Sequence, residues 1–292
     1  MPVRLTVLAD PHAGALSRRV AWVADADGVP LGTAFLRLFD RPGQDHLAEL
    51  TMTVHPAERR RGVGTRLLGV AVEAARAEGR GSLLAQADAG SAGDAFCAAH
   101  GFRRVLTLVY ARLAMAEADV GLVDALAGRP HAGYRLVWWE GAVPDNLAVA
   151  FTAARPAMDD MPTSEADFGT VSWDVEGVRA AAAAIERRGD VLHTVAAVSE
   201  ADGSVAGFTE LVVPGDGAGD AQHYGTAVVR EHRGNGLGRW LKAASIRIAR
   251  DRYPRLEGLL TDTADSNAPM MRINAELGYA PTHTTYEYQR GL

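Results

Sequence analysis

The sequence is poor in cysteine and has no long apolar run. Cys97 is the one cysteine among 292 residues, so no disulfide can form within the chain, and this scarcity suits a reducing compartment. The first residues lack the apolar core and cleavage pattern of a secretory signal. No stretch approaches the ~18 consecutive apolar residues of a membrane-spanning helix. We therefore expect a cytoplasmic protein without a membrane span.

Lysine is nearly missing, and Lys242 is the single example. Residues 1–114 carry 14 Arg against 11 acidic residues, whereas residues 115–292 carry 16 basic and 25 acidic residues. This balance argues against general nucleic-acid binding. For the second half it leaves two interpretations open, a cationic small-molecule partner or a plain solvated surface. The nine histidines show no metal-ligand spacing, so we expect no metal site.

The sequence does contain an internal repeat. RGNGLGRWLK at 233–242 resembles RRRGVGTRLL at 59–68, 174 residues earlier, and AELGY at 275–279 resembles AAHGF at 98–102. Both glycine-rich stretches continue into apolar residues at i, i+4, i+7 and i+11, which is one face of a helix. These residues are Val63, Leu67, Val70 and Ala74 in the first copy, and Leu237, Leu241, Ala244 and Ile248 in the second. We predict two copies of one domain, for which a chain of this length suffices.

Each copy is predicted to be an α/β domain with a mixed sheet. We place the first domain at 1–115, a linker at 116–133 and the second domain at 134–292. The second copy has room for two extra helices before its hairpin, near 144–155 and 174–188. Each copy has one strand after its last helix, so we expect the sheets to be completed at the domain junction by exchange of strands.

The glycine-rich loop lies between a predicted strand and a predicted helix. The first N–H groups of a helix lack intrahelical partners and carry partial positive charge. Small residues there let an anion approach backbone N–H groups, and a pyrophosphate fits such a loop. The spacing differs from both the nucleotide-triphosphate loop and the dinucleotide fingerprint. A tight turn without a ligand remains an alternative for the loop alone.

The order strand, R-x-x-G-x-G, helix, strand, Asn-headed short helix and Leu-Gly-aromatic resembles the GNAT superfamily of acetyl-CoA-dependent N-acetyltransferases. The resemblance covers nearly all of the second copy and most of the first, and the tandem layout is similar to that of mycothiol synthase. It implies that the loop and the preceding strand bind coenzyme A. In the second domain the implied residues are Val228, Arg230, Arg233, Gly234, Asn235, Gly236, Leu237, Gly238 and Asn267, the last of which is alternatively a helix cap. In the first domain they are Val54, Arg59, Arg60, Arg61, Gly62, Val63 and Gly64.

The catalytic residues depart from the family pattern. At the position of the family's usual base, the second copy has Gln222 and the first has Ala48. At the position of the usual acid, the second copy has Asn274 and the first has Cys97. As substitutes we consider Glu210 and His223 as bases, although each is alternatively structural. In a regular strand His223 points away from Gln222, unless a bulge redirects it. Tyr286 and Tyr288 are weaker candidates for the acid.

The acidic stretch MDDMPTSEADF at 158–168 lies where the family covers its acceptor pocket. Asp159 and Asp160 would bind a cationic amine there, or else belong to a solvated loop. The resemblance implies direct transfer of an acetyl group from acetyl-CoA to a primary amine of a small molecule, since no Ser or Cys is credibly paired with a base. We expect the second domain to be catalytic and the first to be a degenerate, structural copy. The alternative is a non-catalytic acyl-CoA-binding sensor or scaffold.

Overall fold

The computed structural model describes residues 3–9, 17–160, 166–169 and 171–292. The chain forms two compact units. Unit 1 comprises Met1–Thr107, Thr163–Ser172 and Thr285–Leu292, and unit 2 comprises Leu108–Pro162 and Trp173–Thr284. Each unit is therefore assembled from stretches that are separated in the sequence.

Unit 1 is a mixed sheet with helices on one face. Its strands lie in the order β1-β2-β3-β4-β5-β12, and β4 runs parallel to β5 while the other neighbours are antiparallel. Strand β1 was not predicted. The elements are β1 (Arg4–Ala9), β2 (Ser17–Ala26), β3 (Val29–Phe39), β4 (Leu47–Val54), α1 (Val63–Ala77), β5 (Ser82–Asp88), α2 (Ala92–Ala99) and the end of β12 (Ala280–Gly291).

Unit 2 repeats this arrangement. Its strands lie in the order β6-β11-β10-β9-β8-β7, and here β10 runs parallel to β11. The elements are β6 (Arg103–Ala114), α3 (Val120–Gly128), β7 (Tyr134–Glu140), α4 (Asp145–Ala154), α5 (Val175–Glu186), β8 (Val191–Ser199), β9 (Val205–Val213), β10 (Ala218–Val228), α6 (Leu237–Arg252), β11 (Arg255–Ala264) and α7 (Ala268–Glu276). The mixed α/β architecture predicted for each copy is confirmed.

The last strand of each copy completes the sheet of the other unit. Residues 285–291 of β12 pair with β5 in unit 1, and residues 108–114 of β6 pair with β11 in unit 2. The predicted strand exchange is therefore present. It satisfies the backbone groups of a sheet edge that a single copy would leave unpaired.

Helices cover both faces of the unit 2 sheet. Alternate residues of β8 point to opposite faces: Val195 packs with α6, and Ala196 packs with Phe151 of α4. On that second face α5 adds Ile185. In unit 1 the described residues place α1 against the sheet, whereas Phe35 on the opposite face is 48% exposed.

Residues 116–133, predicted as a linker, contribute to unit 2. Helix α3 begins after Asp119, which caps it by accepting a hydrogen bond from the Leu122 N–H. Its residues Val123 and Ala127 are buried in the core with α6. The carbonyl of Ala127 accepts a hydrogen bond of 3.1 Å from Trp240 Nε1. The segment is packed because its apolar residues recur with helical spacing.

Candidate functional site

In unit 2 a glycine-rich loop joins β10 to the N-terminus of α6. Gly234 and Gly236 adopt left-handed φ angles of 83° and 75°. This backbone conformation has little energetic cost for glycine, whereas a residue with a Cβ atom is strained in it. Gly236 is the N-cap of α6 and provides no side-chain hydrogen bond. The first N–H groups of α6 therefore remain available to an anion, and the helix dipole adds positive potential.

Arg233 connects this loop to two neighbours. Its Nε donates to the Val228 carbonyl at 3.0 Å, and its guanidinium lies 2.9 Å from the Asp160 carboxylate. Both side chains of the ion pair are about half exposed, at 45% and 50%, so the pair is weak and open to displacement. Asp160, predicted to bind substrate, thus lies at the anion-binding loop. Asp159 is exposed at the surface, and partial desolvation by its surroundings raises the pKa of its carboxyl group.

A cleft of about 680 Å³ lies between this loop and α7 and reaches the end of β10 at residues 226–228. β10 and β11 pair only up to Gln222 and Leu260 and then part. Asn267 lies on the cleft wall and caps α7 through a hydrogen bond from the Met270 N–H. Other predicted cofactor residues on the wall are Val228, Arg233, Gly234, Gly236, Leu237 and Gly238.

Two predicted cofactor residues stand apart from this wall. Arg230 is exposed and begins a short 3-10 helix. Asn235 stabilises the loop itself, since its Nδ2 donates a hydrogen bond to the His232 carbonyl at 3.1 Å. Neither residue is among those that line the cleft. Of the stretch at 158–168, residues 161–165 lie outside the described residues, and Asp167 belongs to unit 1.

Unit 1 contains a matching loop and a cleft of about 580 Å³. Arg59 Nε donates to the Val54 carbonyl at 3.3 Å, as Arg233 does in unit 2. Gly62 has a φ of 82° and caps α1. Arg60 takes a left-handed φ of 63° where the other loop has glycine. Of the other residues predicted here, Gly64 lines the cleft, Val63 is buried in the core, and Arg61 pairs with Glu58 at 3.0 Å.

A model of the acetyltransferase (GNAT) family matches residues 7–102 and 158–279. The chain belongs to this family. A mycothiol acetyltransferase of Clavibacter michiganensis subsp. michiganensis is 29% identical over 92% of this chain and 79% of its own length. A tandem GNAT protein from the clavulanic acid biosynthesis pathway superposes with a TM-score of 0.76 and 29% identity, covering 96% of this chain and 84% of its own. A GCN5-related N-acetyltransferase from Sphaerobacter thermophilus shares the fold at 16% identity, with a TM-score of 0.69 and coverage of 93% and 80%.

The chain is thus an acetyltransferase with two GNAT-type domains, and GNAT proteins generally use acetyl-CoA as co-substrate. No helix within the described residues is long and apolar enough to cross a membrane. Within the same residues, no group of His, Cys, Asp and Glu is placed to hold a metal ion.

Glu210, a candidate base of this GNAT protein, forms an ion pair. Its Oε2 lies 2.6 Å from the Arg155 guanidinium, and the side chains are 12% and 13% exposed. The Arg155 guanidinium also lies over the ring of Trp173, 4.5 Å from its centroid. One oxygen of the Glu210 carboxylate is occupied by this ion pair, which limits the residue as a proton acceptor.

His223, the second candidate base, is buried in unit 2 and is not among the residues that line the cleft. Burial lowers the pKa of its imidazole well below the usual value, and the charge of Lys242 lowers it further. The strand bulges between His223 and Gly225, which leaves Tyr224 as the extra residue. The side chain nevertheless faces inward, with its ring 6.1 Å from that of Tyr279. Tyr286 and Tyr288, the weaker acid candidates, lie in unit 1.

The bulge also corrects an equivalence between the two copies. Gly32 is paired with Val54 as Gly207 is with Val228, and both glycines lie under a leucine of the following helix. From these pairs we count back along β10 and β4 toward the start of each strand. The extra residue Tyr224 in β10 then shifts the correspondence between the two strands by one residue. Gln222 therefore corresponds to Glu49 and not to Ala48. The equivalence with Ala48 was wrong because a constant sequence offset cannot include a bulge.

The pattern analysis missed a buried polar residue, Lys242. It is 1% exposed, and its Nζ donates to Asn274 Oδ1 at 2.7 Å. Burial lowers its pKa to about 7, partly offset by Asp262. The sequence signal that could have indicated the burial of Lys242 is its position directly after Leu241, on the buried side of α6. Cys97, at the position corresponding to Asn274, is buried, and burial raises its pKa to about 11.

Proposed function

We propose that this protein transfers an acetyl group from acetyl-CoA to a primary amine of a small molecule by direct attack, and that unit 2 does so. The observation that carries this is the unit 2 cleft, which lies at an anion-binding helix N-terminus and is lined by the end of β10, the strand that parts from its parallel neighbour β11. This combination suits a long molecule with a pyrophosphate at one end and a reactive group at the other. The second domain, 134–292, is accordingly the catalytic one in our proposal.

The loop residues would bind the pyrophosphate of coenzyme A. Backbone N–H groups of residues 234–238 would donate to it, and Arg233 would exchange Asp160 for a phosphate. The backbone of β10 from Val228 back to His223 would pair with the pantetheine arm. Six strand residues span about 20 Å, so the thioester would lie near the closed end of the gap. Asn267 would contact the cofactor while it caps α7.

The acceptor would enter from the side covered by α4 and α5. Asp159 lies on this side, at the C-terminal cap of the short 3-10 helix that follows α4, and a carboxylate there would attract a cationic amine. Arg155 and Glu210 would form one wall, with Glu210 oriented by its ion pair. The mycothiol acetyltransferase relative is consistent with a small-molecule amine as acceptor. The attacking nitrogen must first lose a proton, for which Glu210 and His223 remain the candidates.

Direct attack requires no acyl-enzyme. Cys97 is buried with a raised pKa, so it is a poor nucleophile. We therefore infer that the acceptor nitrogen attacks the thioester carbon itself and that the free thiol is released.

Unit 1 would be a structural partner that takes no part in transfer. Its sheet has no counterpart of α4 and α5 among the described residues, so an acceptor would find no enclosed pocket. Glu49 at the position corresponding to Gln222 has 46% of its side chain exposed and lies 3.7 Å from Arg37. The loop with Gly62 would still admit an anion. A non-catalytic acyl-CoA sensor is the second candidate, favoured by the ion-paired Glu210 and the buried His223.

The matched glycines provide the test. Gly236→Val and Gly62→Val strain equivalent left-handed positions, so backbone effects are similar in the two loops. We expect Gly236→Val to abolish thiol release from acetyl-CoA with a panel of amines, and Gly62→Val to leave kcat within about twofold, with circular dichroism as the folding control. The reverse result would place transfer in unit 1. Binding of coenzyme A without thiol release from any amine would favour the sensor.

A further inference from the structure

Unit 2 contains a buried polar cluster under the closed end of the gap. Lys242 Nζ donates to Asn274 Oδ1 at 2.7 Å and lies 3.4 Å from Thr261 Oγ1. It also lies over the Tyr279 ring, 4.6 Å from the centroid. Asn274 Nδ2 donates to Thr263 Oγ1 at 3.0 Å. We call this group, together with His223, the lysine cluster: Lys242, Asn274, Thr261, Thr263, Tyr279 and His223.

Unit 1 has an apolar side chain at the position of every member. The correspondence between the two units follows from the helix and strand registers. These registers align Gly32 with Gly207 and Glu49 with Gln222. In the order given above, the counterparts are Leu68, Cys97, Ala85, Ala87, Phe102 and Leu50. The same fold is therefore stable with an apolar core here. A buried lysine carries a desolvation cost, so its presence in one copy points to a task other than folding.

The cluster lies where β10 and β11 separate. Gln222 and Leu260 are the last paired residues, and His223 and Thr261 are the next residues on the two strands. In the proposed binding mode, coenzyme A would extend along β10 from the anion-binding loop, and its reactive end would reach this point. Within the described chain, the buried atoms His223 Nε2 and Tyr279 Oη have no hydrogen-bond partner. Such atoms favour a polar group at this point.

The orientation of Asn274 follows from Lys242. An ammonium group can only donate, so the amide must present Oδ1 to it and direct Nδ2 toward Thr263. The other titratable groups that face Lys242 are Asp262 from β11, His223 from β10 and Tyr279 after α7. Asp262 favours the charged lysine, whereas burial of the site opposes it.

We propose that Lys242 is a positioning residue for acetyl transfer, which acts through Asn274: it places positive potential at the leaving sulfur, together with the Nδ2 hydrogen of Asn274 that Thr263 does not accept. In this step the acceptor nitrogen bonds to the acyl carbon, the carbon–sulfur bond breaks, and its electron pair leaves on sulfur. The nitrogen loses one proton and the sulfur gains one, so the products are the amide and the free thiol. The inference rests on the proposed function of unit 2.

The single lysine permits a direct spectroscopic test. Protein labelled with ¹³Cε-lysine has one side-chain resonance of this type. Its chemical shift is measured as a function of pH for three samples: the protein without ligand, with coenzyme A, and with desulfo-coenzyme A. A sulfur anion near the cluster favours the ammonium, so we expect coenzyme A to raise the titration midpoint by about one unit and the desulfo analogue to leave it unchanged. Equal midpoints with both bound ligands would overturn the inference. Absence of binding by either ligand would refute the proposed function, and the inference with it.

Kinetics provide the second test. We expect Lys242→Met to lower kcat about 100-fold, the scale for losing one preorganised donor, with KM for acetyl-CoA within about twofold. The wild type should lose activity as pH rises through the lysine titration, and the variant should lack this descending limb. Leu68→Met, at the corresponding position of unit 1, is the matched control and should behave as wild type. An unchanged pH profile in a folded Lys242→Met variant would contradict the proposal.

Discussion

Replacing Lys242 by methionine should change how stability depends on pH. The pKa of this lysine falls from 10.5 to about 7 on folding because the ammonium is buried. Between these values the unfolded chain holds a proton that the folded protein does not, so the free energy of unfolding rises with pH. From pH 7 to pH 9 the linkage integral amounts to about 2 kcal/mol. Lys242→Met removes this gain, and methionine fills a similar volume without a charge.

Urea titrations at pH 7, 8 and 9 measure this difference. Four of the five tryptophans, at positions 138, 139, 173 and 240, belong to unit 2, so fluorescence mainly follows its unfolding. Groups such as Cys97 titrate equally in wild type and variant and cancel in the comparison. Leu68→Met again serves as the control. Parallel pH dependences for wild type and Lys242→Met would show that the lysine keeps an ordinary pKa, and the reasoning about its burial would be wrong.

Two further predictions follow from other contacts. Asp160→Asn removes the carboxylate that pairs with Arg233, so we expect calorimetry to show coenzyme A binding about two- to fivefold tighter at low salt; weaker binding would indicate that Asp160 contacts the ligand. Cys97, with a pKa of about 11, should react with a disulfide reagent at pH 8 at least about 100-fold more slowly than in urea-unfolded protein, and comparable rates would show that the thiol is exposed.

The repeat and the glycine loops were predictable because their signals are local. Glycines before an apolar helix face indicate a turn whatever the rest of the chain does, and Gly236 and Gly62 adopt left-handed conformations at the start of the two helices. The strand exchange also followed from counting strands in each copy. It is a consequence of connectivity and needs no knowledge of side-chain contacts.

The reacting end of the site was less accessible to sequence reasoning. A bulge depends on pairing with β9, so the extra residue Tyr224 and the correspondence of Gln222 with Glu49 emerge only from the register. The burial of Lys242 depends on α7 and β11, which lie far along the chain. The ion pair between Arg155 and Glu210 likewise joins residues 55 positions apart. These are tertiary features without a periodic signal.

The exchanged strands have a consequence for synthesis on the ribosome. The stretch that pairs with β5 in unit 1 spans residues 285–291, almost two hundred residues after β5 itself. The N-terminal half must therefore wait, with one edge of its sheet unprotected, until the far end of the chain has emerged. Unit 2 faces no such delay, because its borrowed strand, residues 108–114, precedes all its other elements. The half that is translated first is thus the one that finishes folding last, and a gene cut between the two halves would yield two products that each lack a strand.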